Sequence, residues 1–298
     1  MKNIGKAAVI GSGMMGPGIA VTLSLGGVET TILSRTPEGA TRAAHRAMRL
    51  SIELADSGLM PQGAALVSAS AELETVVPEA DLVIESIPEN LEIKQDLFAQ
   101  LDGLAKPDAV LASNTSSLSI TAIAERSKHP ERILTTHFWN PPHLMRLVEI
   151  VKGERTAEDN VIAVRDLLAR CGKLPVVLRK DTPGQVGNRL QFALLREAIH
   201  IVEQGIASVE DVDAVVKNGF GIRMPVYGIF EHQDVVGLDT CKAVMDYVVG
   251  SLNSDPTTPK LLAERSAEGR GFYEPGQLDH EAVRNRRDAF VRHLLTGR

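Results

Sequence analysis

Two sets of residues in this 298-residue sequence have types and spacings suited to chemistry. The first is a glycine-rich segment in which Gly11, Gly13 and Gly16 follow a short apolar run, with Met14 and Met15 between the last two glycines. Glycines at this spacing permit a tight turn, a bare backbone beside phosphate groups, and close packing of a helix on a strand. A helix that starts near Met15 would aim its N-terminal amides at an anion. The segment therefore predicts a dinucleotide-binding turn.

The second set is His137, with Glu149 twelve residues further along. Oxidising an alcohol by hydride transfer also releases a hydroxyl proton, and histidine is the usual base because it titrates near neutrality. A carboxylate beside the imidazole would fix its tautomer and stabilise its charged form. From the residues alone, a structural histidine is an equal alternative. We interpret His143 and His232 as surface or structural residues.

A polar segment, Asn114-Thr115-Ser116-Ser117, follows another apolar run. An amide and small hydroxyls at the end of a buried strand can reach a nicotinamide or a substrate oxygen. The alternative is helix capping, since Ser117 or Ser119 could start a helix over residues 120–126. The two interpretations are compatible with each other.

The choice of cofactor depends on Ser34-Arg35-Thr36, at the end of the second predicted strand. Sites specific for NAD usually place a carboxylate about twenty residues after the glycines, where it holds the ribose 2′-hydroxyl. No carboxylate is present here, and Arg35 could pair with a 2′-phosphate while Ser34 and Thr36 donate hydrogen bonds. The alternative is that Arg35 is a solvated turn residue. We therefore expect NAD(P) as cofactor, with NADP favoured and NAD not excluded.

Short apolar runs alternate with helical patterns over residues 6–135, which predicts βαβ units and a parallel sheet. His137 would then lie at the carboxyl edge of the sheet, where ligands bind. The predicted strands are Val9-Ile10, Thr31-Ile32-Leu33, Leu82-Val83-Ile84, Val110-Leu111-Ala112 and Ile133-Leu134, followed by residues 147–151 and 174–178.

Strand patterns fade after residue 182, and helical patterns cover residues 185–204, 232–252 and 258–266. Ser208 with Asp211 predicts a capped helix that ends near Gly219. The predicted fold class is therefore α/β, with a Rossmann-type dinucleotide-binding domain over residues 1–182. An all-α C-terminal domain over residues 183–298 follows it.

Composition is that of an ordinary globular protein, with 44% apolar and 23% charged residues. The net charge of −6 gives no reason to expect nucleic acid or an anionic membrane as a partner. Two cysteines, Cys171 and Cys241, suit a reducing compartment. The uncharged stretch over residues 7–28 could pass for a targeting segment, but its glycines fit the phosphate-binding turn. We expect a cytoplasmic protein without a metal site.

The motifs GSGMMGPGIA, ESIPEN, SNTSSLSIT, HFWNPP, LVEIV, KDTPG, NRL and GLDTCK occur in the same order as in a known family. In these motifs the chain resembles the 3-hydroxyacyl-CoA dehydrogenase family over its entire length. The resemblance implies a C-terminal domain that forms a homodimer. It also implies that His137 is the catalytic base and Glu149 its partner, and it adds further residues to both sites. These are Ser116, Asn188 and Asn140 for catalysis, and Ile87, Glu89, Lys94 and Asn114 for the cofactor.

The sequence departs from the acyl-CoA members in the stretch from residue 37 to 66, which is short and contains no lysine. Arg42, Arg46 and Arg49 could replace the lysines that touch CoA, although a solvated helix face is the alternative. Gln185-Val186-Gly187 stands where apolar bulk is usual, and Gly228 lacks the proline that commonly follows it.

The short arm is similar to that of gulonate, carnitine and pyridine-carboxylate dehydrogenases, which act on free acids. A free carboxylate would need an arginine, and Arg146, Arg189 and Arg223 are unranked candidates. We expect hydride transfer at the C3 hydroxyl of an L-3-hydroxy acid or its CoA thioester, with a small free acid preferred. The alternatives are oxidation of an aldehyde on a small ring acid and a non-catalytic nucleotide-binding protein.

Overall fold

The computed structural model describes residues 2–60 and 67–297 and contains an eight-stranded sheet in the order β3-β2-β1-β4-β5-β6-β7-β8. Strands β1 to β6 are parallel, whereas β7 runs antiparallel to β6 and β8 runs parallel to β7. The strands are β1 (Lys6–Ile10), β2 (Glu29–Leu33), β3 (Val67–Ser70), β4 (Leu82–Glu85), β5 (Val110–Ser113), β6 (Ile133–Phe138), β7 (Leu147–Lys152) and β8 (Leu174–Leu178).

Helices connect the strands and then make up most of the chain after β8. Those between the strands are α1 (Gly16–Leu25), α2 (Pro37–Asp56), α3 (Leu73–Val76), α4 (Leu91–Leu104), α5 (Ile120–Ile123) and α6 (Glu158–Arg170). The later ones are α7 (Gly187–Glu203), α8 (Val209–Asn218), α9 (Ile229–Val236), α10 (Leu238–Val248), α11 (Lys260–Ala267) and α12 (His280–Thr296). The predicted fold class, a Rossmann-type domain followed by a helical domain, is confirmed.

Helices cover both faces of the sheet, which explains why its central strands are apolar runs rather than alternating patterns. Ile19 and Leu23 of α1 belong to one buried cluster, together with residues of α2 and α6. Phe98 and Leu101 of α4 belong to a second cluster on the other face. Because β4, β5 and β6 are buried along their whole length, the side chains at their carboxyl ends start from fixed backbone positions.

Two elements differ from the sequence-based expectation. Strand β3 was not predicted, because Val67-Ser68-Ala69-Ser70 is short and half polar and lies at the edge of the sheet. The helical pattern over residues 232–252 is interrupted at Gly237, whose φ of 98° is left-handed and ends α9 before α10 begins. The predicted cap of α8 is confirmed, since Ser208 accepts a hydrogen bond from the amide of Asp211.

The chain divides into two compact units, one of residues 1–189 with 284–298 and one of residues 190–283. The division falls further along the chain than the expected boundary at residue 182, and the last residues belong to the first unit. They do so through α12, where Arg292 pairs with Glu53 of α2 at 3.3 Å. In the described ranges, no helix combines the length and hydropathy that a membrane span requires.

Candidate active site

The glycine-rich turn lies between β1 and α1, and its three glycines have different surroundings. A Cβ on Gly11, whose φ is 125°, would collide with the carbonyl of Ser86 at the end of β4. A Cβ on Gly16 would collide with the carbonyl of Gly11, so α1 can approach β1 closely only with glycine there. A Cβ on Gly13 would meet no neighbouring atom. This combination of tight packing and one bare, accessible backbone position fits a nucleotide pyrophosphate.

Ser34, Arg35 and Thr36 lie where β2 ends beside this turn. The hydroxyls of Ser34 and Ser12 are 3.1 Å apart, which joins the ends of β2 and β1. Thr36 caps α2 by accepting a hydrogen bond from the amide of Gly39. Arg35 is exposed, and the described part of the chain gives its side chain no ion pair. An unpaired guanidinium at this point is available to an anion.

His137 and Glu149 are directly opposite each other on the antiparallel strands β6 and β7. Nδ1 of His137 lies 2.9 Å from Oε2 of Glu149, and both side chains are buried, with 6% and 2% of each residue exposed. An ionised carboxylate only accepts hydrogen bonds, so Nδ1 carries the hydrogen and Nε2 presents a lone pair. The strand reversal therefore brings together the two residues that the sequence indicated.

The Glu149 carboxylate accepts hydrogen bonds on both oxygens. The amides of Val186 and Gly187, at the start of α7, each donate to Oε1 at 2.9 Å. Burial alone would raise the pKa of Glu149, but the bonds from His137, Gly187 and Val186 outweigh it and lower the pKa. The carboxylate therefore stays ionised beside the imidazole at neutral pH.

Trp139 also belongs to this group, although it was not among the site residues expected from the sequence. Its indole Nε1 donates to Oε2 of Glu149 at 3.2 Å, and its ring centroid lies 5.5 Å from that of His137. Two signals could have identified it. It is the only tryptophan in the chain, and it stands two residues after His137, a spacing that puts two side chains on the same side of an extended segment.

A buried charge network supports the neighbouring strand ends. Glu85, fully buried at the end of β4, accepts hydrogen bonds from Lys94 Nζ and Ser113 Oγ at 2.6 Å each. Lys94 also lies 3.5 Å from Glu89. Sequence reasoning overlooked Glu85, although a carboxylate that closes an apolar strand run was a usable signal. The network ties β4, β5 and α4 together beneath the expected cofactor site.

Glu89 in turn holds the segment after β5. Its carboxylate accepts hydrogen bonds from the backbone amide of Ser116 at 2.6 Å and from the hydroxyls of Ser116 and Thr115 at 3.0 and 2.9 Å. Burial alone would raise the pKa of Glu89, but the Ser116 amide and the charge of Lys94 outweigh it and lower the pKa. Asn188, on α7, donates to the carbonyl of Ser116 at 2.8 Å. The structure thus brings these expected site residues into contact.

Asn114 and Ile87 complete the strand ends. The side chain of Asn114 accepts a hydrogen bond from the amide of Phe138 at 2.8 Å and donates to Ser86 at 3.2 Å. The amide of Ile87 donates to Glu85 at 2.6 Å. Ser119 caps α5, which confirms one of the two predicted capping residues. These contacts fix the edge of the sheet between the glycine turn and His137.

Asn140 begins the loop between β6 and β7 and reaches the glycine turn, with Nδ2 3.4 Å from Sδ of Met14. Lys173 fixes this loop by donating hydrogen bonds to the carbonyls of Pro142 and Met145 at 2.6 and 2.9 Å. Burial lowers the pKa of Lys173 to about 8. Burial also lowers the pKa of His143 to about 4, so this imidazole is neutral at neutral pH.

The candidate carboxylate-binding arginines are placed differently from one another. Arg189 follows Asn188 on α7, and Arg146 ends the loop before β7; both side chains are exposed. Arg223 belongs to the second unit, where its exposed side chain lies in the short turn Gly221–Arg223. Contact with CoA and a solvated face of α2 were the two interpretations of Arg46, but its side chain donates to the carbonyl of Gly13 at 3.2 Å. It therefore touches the glycine turn, unlike the exposed Arg42 and Arg49.

Comparison with known proteins gives matches along almost the whole chain. Residues 6–182 match the 3-hydroxyacyl-CoA dehydrogenase NAD binding domain, and residues 184–274 match the C-terminal domain of that family. The chain is 38% identical to the 5-formyl-3-hydroxy-2-methylpyridine 4-carboxylate 5-dehydrogenase of Mesorhizobium japonicum, over 98% of each chain. It is 34% identical to a probable 3-hydroxybutyryl-CoA dehydrogenase of Deinococcus radiodurans, over 90% of this chain and 99% of the relative.

A solved structure described as this pyridine-carboxylate dehydrogenase, an NAD⁺-dependent dismutase, has a TM-score of 0.91. It is 35% identical to this chain and covers 99% of it, and the match covers 100% of the solved chain. The family resemblance read from the motifs is therefore confirmed, as is the prediction of a dehydrogenase. An NAD-binding domain is part of that family. With its glycine turn, its two matched domains and these relatives, the chain belongs to the 3-hydroxyacyl-CoA dehydrogenase family.

Proposed function

We propose that this protein moves a hydride between the C3 carbon of a small L-3-hydroxy acid and a nicotinamide, with His137 as the general base. The observation that carries the proposal is the 2.9 Å bond between His137 and Glu149 at the carboxyl edge of the sheet. Asn140 links that edge to the glycine turn through Met14. A base and a dinucleotide cradle at one edge are the two parts that alcohol oxidation requires.

In this mechanism, Nε2 of His137 accepts the hydroxyl proton as the C–H bond breaks. Glu149 keeps the opposite nitrogen protonated and stabilises the imidazolium that forms. The Ser116 hydroxyl and the Asn188 amide orient the substrate oxygen. The nicotinamide, when bound, accepts the hydride. The low pKa of Glu149 supports this arrangement, because a protonated carboxyl could not perform that role.

The residues around the turn fit a nucleotide and favour NADP. Gly11, Gly13 and Gly16 would form the cradle, while Glu89, Lys94 and Asn114 would support the neighbouring strand ends. Arg35 is exposed, forms no ion pair among the described residues, and is suited to pair with a 2′-phosphate. The segment Ser34-Arg35-Thr36 contains no carboxylate that would repel this phosphate. The preference for NADP over NAD is part of the proposal.

A small free acid is the preferred substrate, because α2 presents no lysines to CoA phosphates. Among the candidate clamps we favour Arg189, because it follows Asn188 directly on α7. Its exposed guanidinium can form a bidentate pair with a carboxylate. An Arg189→Lys variant keeps the charge but loses the fork geometry, so it should raise KM for the acid more than it lowers kcat.

A second candidate is oxidation of an aldehyde on a small ring carboxylic acid. The relative that carries out such a reaction, by its name, matches 98% of this chain at 38% identity. Here the aldehyde would first add water, and His137 would accept a proton from the hydrate while its C–H hydride leaves. The products would be a carboxylic acid, a reduced nicotinamide and a proton. The same base and carboxylate serve both reactions.

A substrate screen tests and separates these candidates. Purified protein is mixed with NAD⁺ or NADP⁺ and with hydroxy acids, their CoA thioesters or ring-acid aldehydes, and nicotinamide absorbance is followed. Turnover of free hydroxy acids supports the leading proposal, and turnover restricted to aldehydes supports the second. Cofactor binding without turnover of any compound would favour the non-catalytic alternative.

We further propose a homodimer formed through the second unit. Within residues 190–283, all of which the structure describes, Ile199 is the one buried residue. Large apolar side chains there are widely exposed, including Phe230 at 85% and Tyr247 at 89%. Apolar surface on this scale is stabilised by burial, and a second copy of the chain offers a matching apolar surface.

A further inference from the structure

The Glu149 carboxylate has an unusually complete set of donors. Oε1 receives two backbone amides from the start of α7, and Oε2 receives both His137 Nδ1 at 2.9 Å and Trp139 Nε1 at 3.2 Å. Imidazole and indole therefore share one oxygen atom.

The indole is held in place from two sides. Its ring is tilted by 51° against the His137 ring at a centroid distance of 5.5 Å. On the other side it fills the space left by the missing side chain of Gly187, since a Cβ there would collide with Cζ2 of Trp139. The absence of a side chain at Gly187 thus makes room for the tryptophan.

We propose that Trp139 is a positioning residue for His137, and this rests on the proposed function. Its N–H orients the carboxylate plane of Glu149, which holds the imidazole with Nε2 free. The indole N–H also partly offsets the negative charge at Oε2. Glu149 therefore attracts the imidazolium less strongly, and His137 releases its proton more readily. Without the indole, more of the negative charge at Oε2 would act on the imidazole.

No other charged side chain in the described residues competes in this arrangement. Glu149 forms an ion pair with His137 alone, and α7 contributes only backbone amides to it. The other contacts with Glu149 come from His137, on β6, and from Trp139, just after the end of that strand. The indole is thus the neutral side-chain donor whose removal can be tested without adding or removing a charge.

The test uses Trp139→Phe, which keeps an aromatic ring and removes the N–H. Proton NMR of the histidine rings follows the titration of His137, identified by its absence in His137→Gln. We expect the midpoint of the His137 titration to rise by about 0.5–1 pH unit in Trp139→Phe. Without the hydrogen bond from the indole, more negative charge at Oε2 of Glu149 acts on the imidazolium and holds its proton more strongly. The acid limb of the kcat/KM profile should move to higher pH by the same amount, with kcat reduced about three- to tenfold and the KM for cofactor unchanged.

Phe138→Leu is the matched control, because it removes a buried ring from the opposite face of β6. It should lower stability without moving the His137 midpoint. Since Trp139 is the only tryptophan, wild-type fluorescence should also change as His137 titrates, and this change should be absent in His137→Gln.

A midpoint in Trp139→Phe within about 0.2 units of wild type, or below it, would overturn the proposal. An equal rise in Phe138→Leu would do the same, because the effect would then be general loosening of β6. The NMR titration needs no substrate. A shifted midpoint in a protein that turns over none of the tested acids would refute the proposed function while leaving the role of Trp139 intact.

Discussion

At the scale of single residues, the proton-transfer proposal depends on His137. We expect His137→Gln to lower turnover by about 10²–10⁴, the typical contribution of a positioned general base. Glutamine can still donate to Glu149, so the strand ends and cofactor binding should stay near wild type. The measurements are steady-state kinetics on the substrate found by screening and cofactor titration by calorimetry. A variant that keeps more than half of the activity would show that another group is the base.

Cofactor choice also rests on individual side chains. We expect wild-type protein to bind NADP about ten- to a hundredfold more tightly than NAD, since a hydrogen bond to a charged group contributes ~1.5–3 kcal/mol. Ser34→Asp combined with Arg35→Ala should reverse the order, because a carboxylate repels the 2′-phosphate and accepts from the ribose hydroxyl. Dissociation constants for both nucleotides check this. Equal or tighter NAD binding by the wild type would remove the basis for the preference.

At the scale of elements, the proposed preference for a free acid over CoA thioesters depends on α2. Arg42 and Arg49 are exposed, whereas Arg46 reaches the carbonyl of Gly13. We expect Arg42→Ala with Arg49→Ala to change kcat/KM by less than about threefold, or under ~0.7 kcal/mol. Arg46→Ala should instead raise the KM for cofactor severalfold, because its side chain touches the dinucleotide turn.

The double variant and Arg46→Ala are matched controls for each other, since all three arginines lie on one helix. Kinetics at two salt concentrations complete the test, because contacts with CoA phosphates would weaken as salt rises. A large loss in the double variant, confined to CoA thioesters while free acids stay inert, would restore an acyl-CoA substrate.

Elements were more predictable than the contacts between them. The apolar runs gave seven of the strands because a buried parallel sheet leaves a continuous apolar pattern, and β3 escaped because an edge strand does not need one. Glycine spacing identified the turn because a Cβ at Gly11 or Gly16 would collide with backbone carbonyls. Local signals drew attention to Glu85 and Trp139 only weakly, because the partners that give each its role, Lys94 and Ser113 for Glu85 and Glu149 for Trp139, are brought to them by the fold.

At the scale of the whole molecule, we expect an obligate dimer with twice the 32.1 kDa mass of the chain in light scattering. Phe230→Asp should shift the protein from dimer towards monomer or aggregate, because burying an unpaired charge in the interface costs desolvation free energy. Met48→Glu is the control, since Met48 is 58% exposed on α2 in the first unit. A monomeric wild type, or a monomeric Met48→Glu, would contradict the proposed interface.

The antiparallel pairing of β6 and β7 has a consequence for how activity is acquired during folding. His137 and Glu149 are twelve residues apart and close a short hairpin, whereas the glycine turn lies more than a hundred residues upstream. Short loops cost little entropy to close, so local pairs form before distant ones. We therefore expect a refolding chain to pair His137 with Glu149 before that pair is brought to the glycine turn. Until the parallel sheet is complete and joins the two sites, we expect such a chain to transfer no hydride.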